Sequence, residues 1–427
     1  MFMLLSELKK NSLPWHIFFV SCIFFFSAFS AQGQIFDLVE HRNFTKEEVP
    51  FRFEGNFILV SVLFNNLLPL TFILDTGAEY SLLTKKEIAD FLNIDYQRRF
   101  TLYGADMKEE LYAYLTKNIS LQMGDLHATH RSVLVLEEDY FRFEEYSGIQ
   151  IHGILGADFL KRFTLQIDYE KQVITFFNPS YYQNKIKIRK EKGEILPFTL
   201  VKGKPYIRCT THLYNQEIKS LNYLVDTGAG LSLLLYTAID SLKAAQVKML
   251  NSPIGLGLGG KLEGYVGRIK NIQFASKNFP ELITKFQEKP DFSNTIFITP
   301  RDGIIGNNML SAFSRIIFDY NRSEMIVISN KKKVKQMPYD RSGLIIGASG
   351  DNLNHFTILK IIENTPAAAT GIQVGDKIRK INGISVSILS LEGVNNKFRG
   401  SVGKKIILHV QREQKILVYE FKLADII

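Results

Sequence analysis

Two short segments of this 427-residue chain carry residue types that could do chemistry without a metal or a nucleophilic side chain. Asp75-Thr76-Gly77-Ala78 and Asp226-Thr227-Gly228-Ala229 each follow an apolar, strand-like run. A single Asp-Thr-Gly marks an ordinary turn, but two copies in the same context ask for another reading. Two carboxyls held face to face cannot both ionise, so the pair keeps one proton between them. One member can then take a proton from water while the other gives one to a carbonyl oxygen. The Thr76 and Thr227 hydroxyls can bond across a pseudo-two-fold axis to the opposite loop, and Gly77 and Gly228 let the two backbones approach.

What must position such a pair is a duplicated domain. Residues 72–78 (FILDTGA) return as 223–229 (YLVDTGA), 151 positions later. Ser-Leu-Leu follows at 81–83 and 232–234, and a helical pattern comes next, with Ile88, Phe91 and Leu92 on one face in the first copy and Ile239 and Leu242 in the second. Lys-Asn-Ile recurs at 117–119 and 270–272, and Gly-Ile-Leu-Gly at 153–156 is answered by Gly-Ile-Ile-Gly at 303–306. Asp-Tyr closes each copy, at 168–169 and 319–320. Short apolar segments such as 57–64, 68–74 and 119–123, punctuated by turn residues, read as strands. The fold class is mainly β, with two short helices per copy, and residues 178–192 read as a charged link between the copies.

Over about residues 45–330 these motifs resemble the retroviral-type (retropepsin-like) aspartic proteases in a single-chain, two-lobe form. The resemblance implies two pseudo-symmetric β lobes and a cleft between them for an extended polypeptide. It also implies attack by water with no covalent intermediate. Asp75 and Asp226 take the place of the catalytic dyad, with Thr76, Gly77, Ala78, Thr227, Gly228 and Ala229 as its support. Mobile hairpins closing over substrate are implied too, with Tyr103 and Gly104 as candidates in the first copy and Gly257, Gly259 and Gly260 in the second. Their sequences differ, which predicts an asymmetric cleft. Ala78 and Ala229 lack the hydroxyl that pepsin-type loops carry, so the anion has one donor fewer. The pair should hold its proton to higher pH, with an optimum at about pH 5–7. Residues 255–260 also fit G-x-G-x-x-G, but no capped helix follows, and no dinucleotide site is expected.

After residue 338 the repeat ends. Residues 365–372 (TPAAATGI), 375–378 (GDKI) and 381–383 (ING) resemble the signature of bacterial-type PDZ domains. That likeness implies a small α+β domain whose carboxylate-binding loop and adjoining strand fall at Gly343, Leu344, Ile345 and Ile346, with a helix at 389–398 as the other wall of the groove. Protein C-termini would be its partners.

Composition bounds the rest. Hydrophobic residues are 46% and charged residues 22%, which excludes a disordered or collagen-like chain. The net charge of +9 is spread out, and the runs at 185–192 and 331–335 lack stacking aromatics, so nucleic acid is not an expected partner. Lys9 and Lys10 precede an apolar run at 17–31 that ends in Ala31-Gln32-Gly33. About fifteen apolar residues fall short of the roughly twenty a span needs, so residues 1–33 read as a cleaved signal peptide. An uncleaved anchor is the alternative; a lipoprotein site at Cys22 fits less well, because the apolar run continues past it. The protein is expected to be exported, periplasmic or secreted, and membrane-anchored only if the signal is kept. Removal of the signal leaves Cys209 alone, a buried structural thiol rather than half of a disulfide. His127 and His130 read as a polar surface pair, and no metal or cofactor is expected. The organisation is therefore signal peptide 1–33, first lobe 34–182, second lobe 183–330, linker 331–341 and PDZ domain 342–427. The expected function is that of a monomeric, exported aspartic endopeptidase acting on polypeptides. The alternative is a catalytically inactive envelope protein that binds peptides with the same folds.

Overall fold

The computed structural model describes residues 44–103, 110–185, 193–214, 217–244, 247–257, 260–288, 301–329 and 338–427. The expected signal peptide, the basic run 331–335 and most of the run 185–192 lie outside these residues. No helix among those described is long and apolar enough to cross a membrane.

Alternating apolar residues build the first hairpin. In Phe57–Phe64 the side chains of Ile58, Val60, Val62 and Phe64 are buried, and the strand pairs with Leu68–Leu74 in the register Leu59 opposite Ile73. Asn65 and Asn66, with φ of 50° and 57°, make the tight turn between them, a conformation asparagine tolerates. Six further strands join this hairpin in an eight-stranded sheet. Its order, by first residue, is Arg52, Phe57, Leu68, Gly153, Leu82, Leu126, Glu110, Tyr96. The second sheet runs Thr199, Lys204, Ile218, Gly303, Leu233, Lys277, Gly260, Met249, strand for strand the same topology. In each the strand that opens the Gly-Ile-Leu-Gly or Gly-Ile-Ile-Gly motif, the second-glycine strand, is inserted between the strand leading to Asp and the strand that follows it.

A third, six-stranded sheet joins the lobes. Thr164–Asp168 of the first lobe pairs antiparallel with Phe313–Asp319 of the second, Leu165 opposite Phe318 and Ile167 opposite Ile316. Its outer strands are Val173–Phe177 and Lys46–Pro50 on one side, Glu324–Ser329 and Glu194–Pro197 on the other. One continuous core, from Val49 to Val327, packs both lobes on this sheet, with Phe159, Phe163 and Phe176 in edge and tilted ring contacts.

Two local expectations differ. A helix, Pro179–Lys185, stands inside the stretch read as a link, because the Asn178 side chain accepts from Ser180 N (3.0 Å) and Tyr181 N (3.3 Å) and Tyr182 packs on Phe177. In the helix Lys86–Phe91, Ala89 is buried and Ile88 and Leu92 pack partly, but Phe91 is 73% exposed. Fewer than two turns cannot turn all three predicted positions inward. In the matching helix Ile239–Ala244, Ile239 and Leu242 are both buried.

The C-terminal region has its own sheet and a separate core. The sheet runs Leu344–Ser349, His355–Ile361, Lys377–Ile381, Lys405–Arg412 and Lys415–Lys422, with Ile384–Ser385 paired to the third. Helix Leu391–Phe398 is capped by Ser390, whose Oγ accepts from Gly393 N at 3.1 Å. Both Asp376 oxygens accept from the Arg412 guanidinium at 2.8 Å, the planar fork that suits a carboxylate. Helix Phe143–Ser147 of the first lobe packs on Leu344–Ser349, and Gly148 lies against Leu391. Lys360 pairs with Glu263 of the second lobe at 3.1 Å, and Lys248 Nζ donates to Asp425 O at 3.0 Å.

Candidate active site

The two aspartates stand at the ends of matching parallel strand pairs. Leu68–Leu74 runs beside Gly153–Leu155, and Ile218–Asp226 beside Gly303–Gly306. Because the second-glycine strand is inserted there, the chain after each aspartate must loop out around its end. Glycine is needed at that crossing. A Cβ on Gly156 would come within 2.6 Å of the Tyr80 carbonyl carbon, and one on Gly306 within 2.7 Å of Ala229 O. The residues after each glycine grip the loops: Ala157 N donates to Ala78 O and Asn307 N to Ala229 O, both at 2.8 Å.

The threonines then cross the axis. Thr76 Oγ1 donates to Val225 O and Thr227 Oγ1 to Leu74 O, each at 2.7 Å. Each hydroxyl also accepts from the opposite threonine's amide at 3.1 Å. Both side chains are fully buried, so six polar groups are satisfied by four hydrogen bonds where no water competes. Asn56 adds a second bridge: its Nδ2 donates to Gly230 O (3.0 Å) and its carbonyl accepts from Asn307 Nδ2 (2.9 Å).

Inside this frame Asp75 and Asp226 meet. Their carboxyls share a hydrogen bond. Gly77 N and Ala78 N donate to Asp75 Oδ1 at 2.7 and 2.9 Å, and Gly228 N donates to Asp226 Oδ1 at 2.8 Å. A Cβ on Gly77 would overlap the Asp226 carboxyl, and one on Gly228 the Asp75 carboxyl. Burial raises the pKa of both acids. For Asp75 the neighbouring Asp226 charge raises it further, against the pull of the two amides. At Asp226 the bond to Asp75, the Arg301 charge and the backbone amides all work against burial. Burial and mutual repulsion thus favour one shared proton, held above the ordinary carboxylate range, with the Arg301 charge acting on Asp226.

All eight triplet-loop residues singled out in the sequence are thus at one place. Tyr103 ends the strand Tyr96–Tyr103, opposite Glu110, and only its backbone is described. Gly257 and Gly260 face each other at the end of the hairpin Met249–Gly257 and Gly260–Phe274. Gly104 and Gly259 lie outside the described residues. The second-lobe hairpin reaches one segment of the first lobe: Gly260 approaches Tyr140 O (3.7 Å from a built Cβ), and Lys261 Nζ sits 4.9 Å from the Tyr146 ring centre. In the C-terminal domain, Leu344 and Ile346 are buried and Ile345 half-buried. The amides expected to greet a peptide carboxylate already have partners, since Gly343 N donates to Asp340 Oδ1 (2.7 Å) and Leu344 N to Ser342 Oγ (3.1 Å).

Some neighbours of the site escaped the sequence. Asp158 Oδ1 accepts from Ser81 N and Oγ at 2.8 Å, fixing the first loop, and Asn308 Nδ2 meets Ser232 Oγ at 3.2 Å in the second. The contrast of Gly156-Ala-Asp with Gly306-Asn-Asn was the available signal. Arg301 and Lys204, both acting on Asp226, stood in no motif.

Residues 60–159 match the aspartyl protease family model and residues 357–412 the PDZ domain model. A probable CtpA-like serine protease of Staphylococcus saprophyticus subsp. saprophyticus is 33% identical over 85 residues, which are 19% of this chain. The chain spans 17% of that relative's length. A retropepsin-like aspartic protease structure from Rickettsia conorii aligns with 31% of this chain and 89% of its own, at 21% identity and a TM-score of 0.22. The chain therefore carries an aspartyl protease-like domain and a C-terminal PDZ domain.

Proposed function

We propose that the mature chain is an exported aspartic endopeptidase. The observation that carries this reading is the crossed threonine pair holding two hydrogen-bonded carboxyls in a buried site. A water held between the carboxyls attacks the peptide carbonyl carbon. Its proton passes to the carboxylate member while the protonated member gives its proton to the carbonyl oxygen, making a tetrahedral diol. Breakdown reverses the roles: the newly protonated carboxyl gives its proton to the amide nitrogen, which leaves as an amine, and a diol hydroxyl proton returns to the other carboxyl. One proton is kept throughout, so no metal or covalent intermediate is required. Each lobe supplies one carboxyl, so a monomer suffices. Export rests on residues 1–33. The PDZ domain would hold a polypeptide substrate or partner, raising its local concentration at the cleft.

The test is incubation of the purified chain without residues 1–33, and of its Asp226→Asn variant, with a mixed peptide library at several pH values. Internal cleavage by the wild type, blocked by a pepstatin-type inhibitor and lost by about a hundredfold or more in the variant, supports the reading. A folded wild type that cleaves nothing leaves a peptide-binding protein instead.

A further inference from the structure

Because one pattern was duplicated, the lobes can be compared position by position through strand register. Leu59 faces Ile73 as Tyr206 faces Leu224, and Leu82 pairs with Ile154 and Leu134 as Leu234 pairs with Ile304 and Lys285. The register matches Phe57 with Lys204, Leu134 with Lys285, and Ile151 with Arg301, the last two standing two residues before Gly153 and Gly303. In the first lobe all three belong to one apolar cluster that also includes Ala78, three residues from Asp75. In the second lobe all three are cations.

Among the described residues these cations form no ion pair, although the Asp226 charge acts on Arg301 and Lys204. Arg301 Nη2 donates to Tyr236 OH at 3.2 Å, and its Nε is buried with no acceptor. Among the described residues no carboxylate lies within ion-pair distance of Arg301, Lys204 or Lys285. Lys285 is held by burial alone at a pKa of about 8. Glu79, whose charge acts on Lys204, is paired instead with Lys202 at 3.5 Å. Burying positive charge without a partner is unfavourable. Arg301 and Lys204, which act on each other and on Asp226, exceed the pair's single negative charge until an anion arrives from outside, and register sets Lys285 on the same wall.

We propose that this wall of the second lobe is the subsite for an acidic side chain of the substrate, a glutamate or aspartate close to the scissile bond, held by Arg301 with Lys204 and Lys285. The proposal rests on the peptidase reading and names its substrate class. Arg301 can meet a carboxylate through two parallel N–H bonds, a geometry that a neutral amide matches poorly. The cations also offset the repulsion that a substrate carboxylate would feel from the ionised member of the pair. The three matching positions of the first lobe are apolar, so the preference belongs to one side of the bond.

The experiment measures kcat/KM of the chain without residues 1–33 on paired peptides that carry Glu or Gln at each position flanking the cleaved bond, at about pH 6 where Glu is ionised. Glu is expected to be preferred by about ten- to a hundredfold at one position. Arg301→Met should bring that ratio close to one, and Arg301→Glu should favour Lys over Gln at the same position. Lys204→Met, expected to lower the ratio severalfold, serves where an Arg301 variant fails to fold, as judged by its thermal melt. A wild type that cleaves peptides without a Glu preference, or a folded Arg301→Met that keeps the ratio, overturns the proposal and leaves the peptidase reading standing. A wild type that cleaves neither charged nor neutral peptides removes both.

Discussion

Thr76 and Thr227 show how much of the site depends on single atoms. Each hydroxyl donates and accepts across the axis, so Thr76→Val leaves both the Val225 carbonyl and the Thr227 amide buried without a partner. Thermal and denaturant melts should show a loss of about 2–4 kcal/mol, largely recovered in Thr76→Ser. The carboxyl pair should behave oppositely. Burial and mutual repulsion raise its pKa in the fold, so stability it contributes is present when protonated and lost as pH rises. Asp75→Asn is therefore expected to melt higher than the wild type at pH 7–8, with the difference shrinking towards pH 4. An unchanged difference across that range would contradict the assignment. Arg301 pulls the pKa of Asp226 down, so Arg301→Met should move the acid limb of the pH–rate profile to higher pH. At this scale the sequence was most legible for Asp75 and Asp226, since each triplet is local and was written twice. Lys204, Lys285 and Arg301 were not legible, because nothing linear relates them until strand register places them on one wall.

Among the elements, the inserted strands Gly153–Leu155 and Gly303–Gly306 do the positioning. Their terminal glycines are packed against backbone that cannot yield, as Gly306 is against Leu231 and Ala229. Gly306→Ala should lower the melting temperature by several degrees and remove peptide cleavage. Gly255→Ala, where a built Cβ meets nothing within 4 Å, should change stability by no more than about 0.5 kcal/mol. Equal effects would show that close approach is not what these glycines provide. Strands and glycine motifs were legible because periodicity and repetition both mark them. The helix Pro179–Lys185 was not, because its start rests on one asparagine side chain and its packing on Tyr182 meeting the far sheet. Phe91 misled for a related reason: six helical residues are too few for a face to be read from spacing.

At the scale of the molecule, the core divides unevenly. One cluster runs through both lobes and the sheet that joins them, while residues 344–423 have a cluster of their own. Calorimetry should therefore resolve two transitions. Phe398→Ala should lower only the one belonging to the PDZ domain, by about 3–5 kcal/mol, and Ile316→Ala should lower the transition the two lobes share. A single transition moved by both substitutions would contradict this division. The sequence announced three units through a repeat and a change of motif. It could not announce that helix Phe143–Ser147 covers part of Leu344–Ser349, or that Glu263 meets Lys360, because surface contacts between units leave no periodic trace.

The central claim concerns one hydrogen ion, and carbon NMR of the chain labelled at its aspartate carboxyls reads it without any substrate. Between about pH 5 and 6, one carboxyl of the pair should remain protonated while exposed aspartates are ionised, and in Asp226→Asn the shared protonation step should vanish. Two carboxyls at residues 75 and 226 that both ionise near pH 4, independently of each other, would contradict the account.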